Sequence, residues 1–175
     1  MIKPQNILIF GRPGAGKSSL SKIIGRKLNL PVFHLDKFFW LPGWVERPKP
    51  DMSIDVEKIL VNNSSWVIEG NYKKVALESR IEAADLILIL DFGFFTCLYR
   101  ALKRNIIHYN KTRPDMQDDC KEKLFPDFKF IGYIWRYPKG TLIPLRQTIT
   151  KYPEKTVFTF KNQKDLNIWV KENLP

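Results

Sequence analysis

Gly11-Arg12-Pro13-Gly14-Ala15-Gly16-Lys17-Ser18 matches the spacing G-x-x-x-x-G-K-[ST] at every fixed position, and each of those positions has a chemical reason. A phosphate needs many donors converging on one point. Glycines let successive backbone N–H groups turn inward with no Cβ in the way. The start of a following helix adds its own unpaired N–H groups and the positive end of its dipole. Lys17 is then placed to reach the β- and γ-phosphates of a nucleoside triphosphate, and the Ser18 hydroxyl to ligate Mg²⁺. The expected ligands are ATP and Mg²⁺, held by residues 11–18 with Ser19 next along the helix.

Other residues fall where transfer of a phosphoryl group would need them. Asp91 follows the apolar run Leu86-Ile87-Leu88-Ile89-Leu90, a position from which a carboxylate orients Mg²⁺ or its waters. Arg100 and Arg104 stand four residues apart on one helical face, with Arg113 beyond them in an irregular stretch. Arginines on a lid supply positive charge to the migrating oxygens and exclude water, and Arg113 is read as a nucleotide contact. Asp36 sits just past a short apolar stretch, placed to accept the proton of an attacking hydroxyl or to hold a water of the metal. Lys17, Arg100, Arg104 and Asp36 form the expected catalytic set. Glu69, Asn71 and Tyr72 are read as acceptor-pocket residues. Trp40 and Trp44, flanked by prolines, offer either a stacking platform for a ring or a staple for the segment that bears them. His34 reads as a packed core histidine.

These residues need elements to position them. Asn6-Ile7-Leu8-Ile9-Phe10 is a continuous apolar run, the pattern of a strand buried on both faces of a parallel sheet. After Ser18, the residues Leu20, Ile23, Ile24 and Leu28 recur at helical spacing. Short strands are expected at 31–35, 66–68, 86–90 and 157–160. Between and after them, helices are expected near 54–61, 75–84, 94–109, 128–147 with a break at Pro138-Lys139-Gly140, and 165–174. On the helix at 94–109, Leu98, Leu102 and Ile106 make the inward stripe. Pro42, Gly43, Pro48 and Pro50 break regular structure, and 110–127 is polar and irregular. Strands alternating with helices imply one three-layer α/β domain over 1–175. Ligands bind beyond the carboxyl ends of such strands, where Gly11, Asp36, Glu69 and Asp91 all lie.

Composition narrows the class. The chain has 175 residues and a net charge of +11, distributed as 13 basic and 10 acidic groups over 1–96 and 16 basic and 8 acidic over 97–175. That field suits polyanions, nucleotides and nucleic acids alike. No apolar run approaches the ~20 residues of a membrane helix, and residues 1–10 lack the pattern of a secretory leader. Cys97 and Cys120 fit neither a metal spacing nor a disulfide framework. A cytoplasmic protein, monomeric or dimeric, is the expectation.

The phosphate loop is shared by kinases, GTPases and motor-like ATPases, so it does not define a reaction by itself. The chain is short, has no Asn-Lys-x-Asp guanine motif, and places a basic segment after the fourth strand. Those features favour a small kinase that moves the γ-phosphoryl group of ATP to a small acceptor. The alternative is an ATP-binding regulator that contacts nucleic acid weakly through its basic surface, with Tyr109, Tyr133, Trp135 and Tyr137 stacking bases. A third option is an ATPase without an acceptor.

Gly11–Ser18, His34-Leu35-Asp36 with Phe39-Trp40 and Pro42-Gly43-Trp44, Trp66-Val67-Ile68-Glu69-Gly70-Asn71-Tyr72, and Thr112-Arg113-Pro114-Asp115 occur in one order over most of the chain. In this the chain resembles the adenylate-kinase-related DNA topology modulation proteins of the FlaR type. The resemblance implies a P-loop nucleoside-monophosphate-kinase-like fold, with a five-stranded parallel sheet in the order 2-3-1-4-5 and a helical lid. It also implies a substrate arm around 37–65 and a lid near 105–125. That family more often carries Asp at the position of Glu69, so the acid is kept here one methylene longer.

Overall fold

A computed structural model describes residues 4–175; the leader reading of residues 1–10 falls partly on residues 1–3, outside them. β1 (Asn6–Gly11) runs into the glycine loop and then α1 (Lys17–Leu28). β2 (Val32–His34) leads directly into α2 (Leu35–Phe39), so Leu35 opens a helix rather than closing the strand. A small hairpin follows, β3 (Trp40–Leu41) paired antiparallel with β4 (Val45–Glu46) around a turn at Pro42–Trp44. Then come α3 (Lys49–Asn62), β5 (Trp66–Glu69), α4 (Leu77–Ala83), β6 (Leu86–Leu90) and α5 (Phe94–Ile107). The chain closes with α6 (Phe128–Tyr137), a π-helical turn (Pro138–Leu142), α7 (Ile143–Ile149), β7 (Thr156–Phe160) and α8 (Gln163–Asn173).

Five strands form one parallel sheet in the order β2-β5-β1-β6-β7. Counting only those five along the chain, this is the expected order 2-3-1-4-5. Register sets the functional edge: Ile9 pairs with Glu69, His34 with Glu69, and Gly11 with Leu90. The ends of β2, β5 and β1 therefore lie side by side.

The apolar runs are explained by burial on both faces. Leu8, Phe10, Ile68, Ile87 and Ile89 pack beneath Met52, Val56, Tyr137 and Leu145. Ile7, Ile9, Val67, Leu88 and Leu90 pack on the opposite face with Leu20, Ile24, Leu166 and Trp169. Each such side chain contributes about 1.5–3 kcal/mol by leaving water. Among the described residues no helix is long and apolar enough to cross a membrane.

Two further sequence expectations change. α3 begins at Lys49, five residues before the expected start, because Pro50 falls in its first turn, where a missing N–H costs nothing. The inward stripe of α5 is Cys97, Ala101 and Asn105, whereas Leu98 and Leu102 are only half-buried and Ile106 is 59% exposed. The cause is close packing against the glycine loop: a Cβ on Gly14 would lie 2.2 Å from the Cys97 carbonyl oxygen. Only small side chains let the helix approach so near. Between α5 and α6, residues 109–122 form a loop braced by the bridges Tyr109–Glu122 and Thr112–Lys121.

Candidate active site

A cavity of about 1460 Å³ opens along the carboxyl edge of the sheet, and the glycine loop forms its floor. Gly14 (φ +83°) and Gly16 (φ +95°) adopt left-handed backbone, which other residues rarely do. A Cβ on Gly14 would strike Cys97, whereas one on Gly16 would meet nothing within 4 Å and would project into open space. α1 starts at Lys17 with no side-chain cap and no acid in its first turn. Its first N–H groups are left for another acceptor. This is the cradle an anion needs. Lys17 lines the cavity half-buried, and no described carboxylate lies within ion-pair distance of it. Pro13, Ala15, Ser18 and Ser19 also line it. Arg12 does not. Its side chain is buried behind the loop, with the guanidinium 5.7 Å from the centre of the Tyr137 ring and Nε without a partner.

Ser18 meets a carboxylate, but the carboxylate is that of Glu69. Ser18 Oγ donates to Glu69 Oε1 at 2.9 Å, and His34 Nδ1 lies 2.9 Å from the same oxygen. Asp91, expected beside the metal, instead accepts from Arg146 at 3.3 Å and lies outside the cavity lining. Sheet order explains the difference. Glu69 ends β5 and Asp91 follows β6, the two strands that flank β1, but α1 packs over β5, which carries Ser18 to the Glu69 side. Among the described residues no group of three His, Cys, Asp or Glu side chains could hold a metal alone. A hydroxyl and one carboxylate next to a phosphate cradle suit Mg²⁺, which takes its remaining ligands from phosphates and water.

Asp36, the second residue of α2, lines the same cavity. Tyr72 Oη donates to its Oδ1 at 2.6 Å. Burial, and then the Glu69 charge, push the Asp36 carboxyl above its ordinary value of 3.8, against the Tyr72 hydrogen bond, Lys17 and Arg113. Burial and Asp36 likewise push the Tyr72 phenol up, so Tyr72 remains a donor at neutral pH. Asn71 is less free than its sequence position suggests. It brackets the loop entry, accepting from Gly11 N at 3.1 Å and donating to Gly11 O at 3.0 Å. Trp40 lines the cavity between Phe39 and Trp44, in edge contacts at 4.9 and 5.3 Å.

Arg100 and Arg104 both reach the cavity from α5. Arg100 lies over the Phe92 ring at 5.3 Å. Arg104 touches only Asn105 Oδ1 at 3.4 Å, its Nε has no partner, and burial, with Arg113 nearby, lowers its proton affinity. Arg113 also lines the cavity, but Asp115 and Glu122 hold its guanidinium within the 109–122 loop. Of the four aromatics proposed for base stacking, Tyr137 is buried and Tyr133 faces the cavity, while Tyr109 and Trp135 are exposed.

Two positioning contacts were not legible in the sequence. Arg80 is fully buried without a carboxylate partner; it donates to the carbonyls of Val75, Gly70 and Tyr72 and so fastens the loop that bears Asn71 and Tyr72. Burial pushes Arg80 down to about 9, which leaves it charged at neutral pH. Trp44 Nε1 donates to Lys121 O at 2.8 Å, and Cys120 Sγ lies 3.4 Å from Leu41 O. These contacts tie the β3–β4 hairpin to the 109–122 loop. One such hydrogen bond is worth about 0.5–1.5 kcal/mol net. Trp44→Phe is therefore expected to speed limited proteolysis within residues 109–122 by about 2- to 10-fold when opening is fast relative to cleavage. An unchanged cleavage rate would show that the contact does not hold the loop.

No family model and no curated protein matches the chain. Solved structures do. Shikimate kinase from Acinetobacter baumannii in complex with shikimate superposes with a TM-score of 0.59 at 14% identity, covering 98% of this chain and 96% of that one. A candidate kinase from Chloroflexus aurantiacus gives 0.56 at 16% identity, covering 99% and 100%. Deoxyadenosine kinase from M. mycoides with bound dATP gives 0.50 at 15% identity, covering 96% and 97%. The chain has the fold of these kinases.

Proposed function

We propose that the chain is an ATP-dependent phosphotransferase acting on a small acceptor. The observation that carries this reading is the meeting, in one cavity, of an open glycine cradle with Lys17, Arg100 and Arg104 on one side and Asp36 on the other. In the proposed reaction the acceptor oxygen bonds to the γ-phosphorus of ATP. The bond from that phosphorus to the β–γ bridging oxygen breaks, and its electron pair leaves with ADP. The acceptor hydroxyl's proton passes to the Asp36 carboxylate. Lys17, Arg100 and Arg104 stabilise charge on the transferring oxygens. Mg²⁺, when bound, neutralises charge on the phosphates, and Ser18 and Glu69 are the residues that would hold and orient it.

The metal assignment has its own test. Glu69→Gln keeps an acceptor for Ser18 and removes the charge. Removing a partner that orients a metal ligand typically costs 10–100-fold in metal affinity, so the Mg²⁺ concentration for half-maximal turnover is expected to rise by about that factor. An unchanged Mg²⁺ requirement in this variant, with a raised one in Asp91→Asn, would return the role to Asp91. In support of the reading, the fold is that of kinases.

A further inference from the structure

From the apolar stripes on α5 and α6, we infer that this face is where a second copy of the chain docks, so that the protein is a two-fold dimer. α5 has two apolar sides, and the fold of one chain uses only one of them. Cys97 and Ala101 are buried on the inner side. Phe95, Tyr99, Leu102 and Ile106 form a second stripe, spaced by four, three and four residues. On a 3.6-residue helix those four stand within about 60° of one another. This is the spacing at which one helix meets another, each side chain seated between those of its partner. On α6, Phe128 and Trp135 stand seven residues apart and so share a face. Phe94 joins the two stripes, its ring 5.3 Å from that of Phe95 and 5.1 Å from that of Trp135.

The outer stripes are left in water. Phe95 is 80%, Tyr99 65%, Phe128 93% and Trp135 65% exposed; Ile106 is exposed too, and Leu102 half-buried. At about 150–250 Å² for a whole aromatic side chain, the four rings present about 450–750 Å². The largest apolar patch on an ordinary monomer is about 300–600 Å², and a stable interface removes about 800 Å² from each partner. Leu102 and Ile106 bring this face close to that area. It is rich in Phe, Tyr and Trp, as interface centres are, and neither α5 nor α6 holds a carboxylate. Lys103, Lys129 and Arg136 stand roughly a quarter-turn from the stripes, where they stay in water at the rim of a helix–helix contact. A nucleic acid or an anionic membrane would draw its attraction from those rim cations; a second copy draws it from the stripes themselves, each covering its counterpart.

Sedimentation equilibrium of the full chain at about 10 μM tests this, with an expected mass twice the 20.6 kDa of one chain. Each copy carries a net charge of +11, so raising salt from about 0.05 to 0.5 M screens their repulsion and leaves the dimer as tight or tighter. Phe95→Glu and Ile106→Glu, at the two ends of the α5 stripe and away from the cavity lining, should each raise the dissociation constant by at least about 10-fold. Ile168→Glu, at an exposed apolar position of α8, should leave it unchanged. Hydrogen exchange of the wild-type chain needs no variant: dilution through the dissociation constant should speed exchange in residues 94–107 and 128–137 and spare α8. A monomeric mass at every salt concentration overturns the inference. So does a dimer that survives both α5 substitutions, or one whose dilution leaves exchange in the two helices unchanged. A monomer that floats with anionic phospholipid vesicles assigns the face to a membrane and overturns it as well.

Discussion

Asp36→Asn is expected to lower phosphoryl transfer by about 10²–10⁴-fold, the usual contribution of a positioned base, while making the fold more stable at neutral pH. The two effects have one cause. Burial and the Glu69 charge disfavour ionised Asp36 in the folded chain, so its carboxyl titrates above the ordinary value of 3.8. The native state then binds this proton more readily than the unfolded chain does, and the charge costs stability. That cost is absent where both states are protonated, below pH 3.8. It grows as the pH rises from there towards the raised native value and is complete above it. Asparagine keeps the acceptor for Tyr72 and removes the charge. The variant should therefore melt higher than the wild type at pH 7–8, by about 2–4 °C for each kcal/mol relieved, with the gain vanishing in strong acid. Wild-type turnover should fall with decreasing pH at a higher pH than an unperturbed carboxylate would give. Steady-state kinetics and thermal melts across pH test both halves. Near-wild-type turnover in the variant would remove Asp36 from the chemistry.

Lys17→Ala carries the second large effect. Removing one preorganised donor from a site of developing charge costs about 10²–10³-fold in turnover, or roughly 2.7–4 kcal/mol. Lys17 lines the cavity and pairs with no described carboxylate. Its loss breaks no ion pair and removes only part of the positive field acting on Asp36, so the change in folding stability should stay within about 1 kcal/mol. The signature is a large kinetic loss at an unchanged melting temperature. A variant that loses both together would identify Lys17 as a structural residue.

The contrast between the two acids after strands explains what a single sequence can and cannot disclose. The glycine loop is legible because its chemistry lies in eight consecutive residues whose backbone turns on local glycines. The sheet is legible because Leu86–Leu90 and its counterparts are apolar on both faces. Whether Glu69 or Asp91 meets Ser18 is decided by which way α1 crosses the sheet, and no local pattern encodes that direction. Arg80, Arg113 and the Trp44–Lys121 contact share this character. Arg80 and Arg113 depend on the exact turns of nearby loops, within ten residues of each, and Trp44 on a partner 77 residues away in the chain. On α5, periodicity favoured Leu98, Leu102 and Ile106, but the nearness of Gly14 demanded the small residues Cys97 and Ala101.

A phosphotransferase would send the γ-phosphate of ATP to an acceptor oxygen rather than to water. Phosphorus-31 NMR of ATP and Mg²⁺ turning over with a mixture of small hydroxylated compounds follows that phosphate directly. The expected result is a new phosphate monoester resonance growing in step with ADP, and its loss in Lys17→Ala. Growth of inorganic phosphate alone, at a rate indifferent to the mixture, would contradict it.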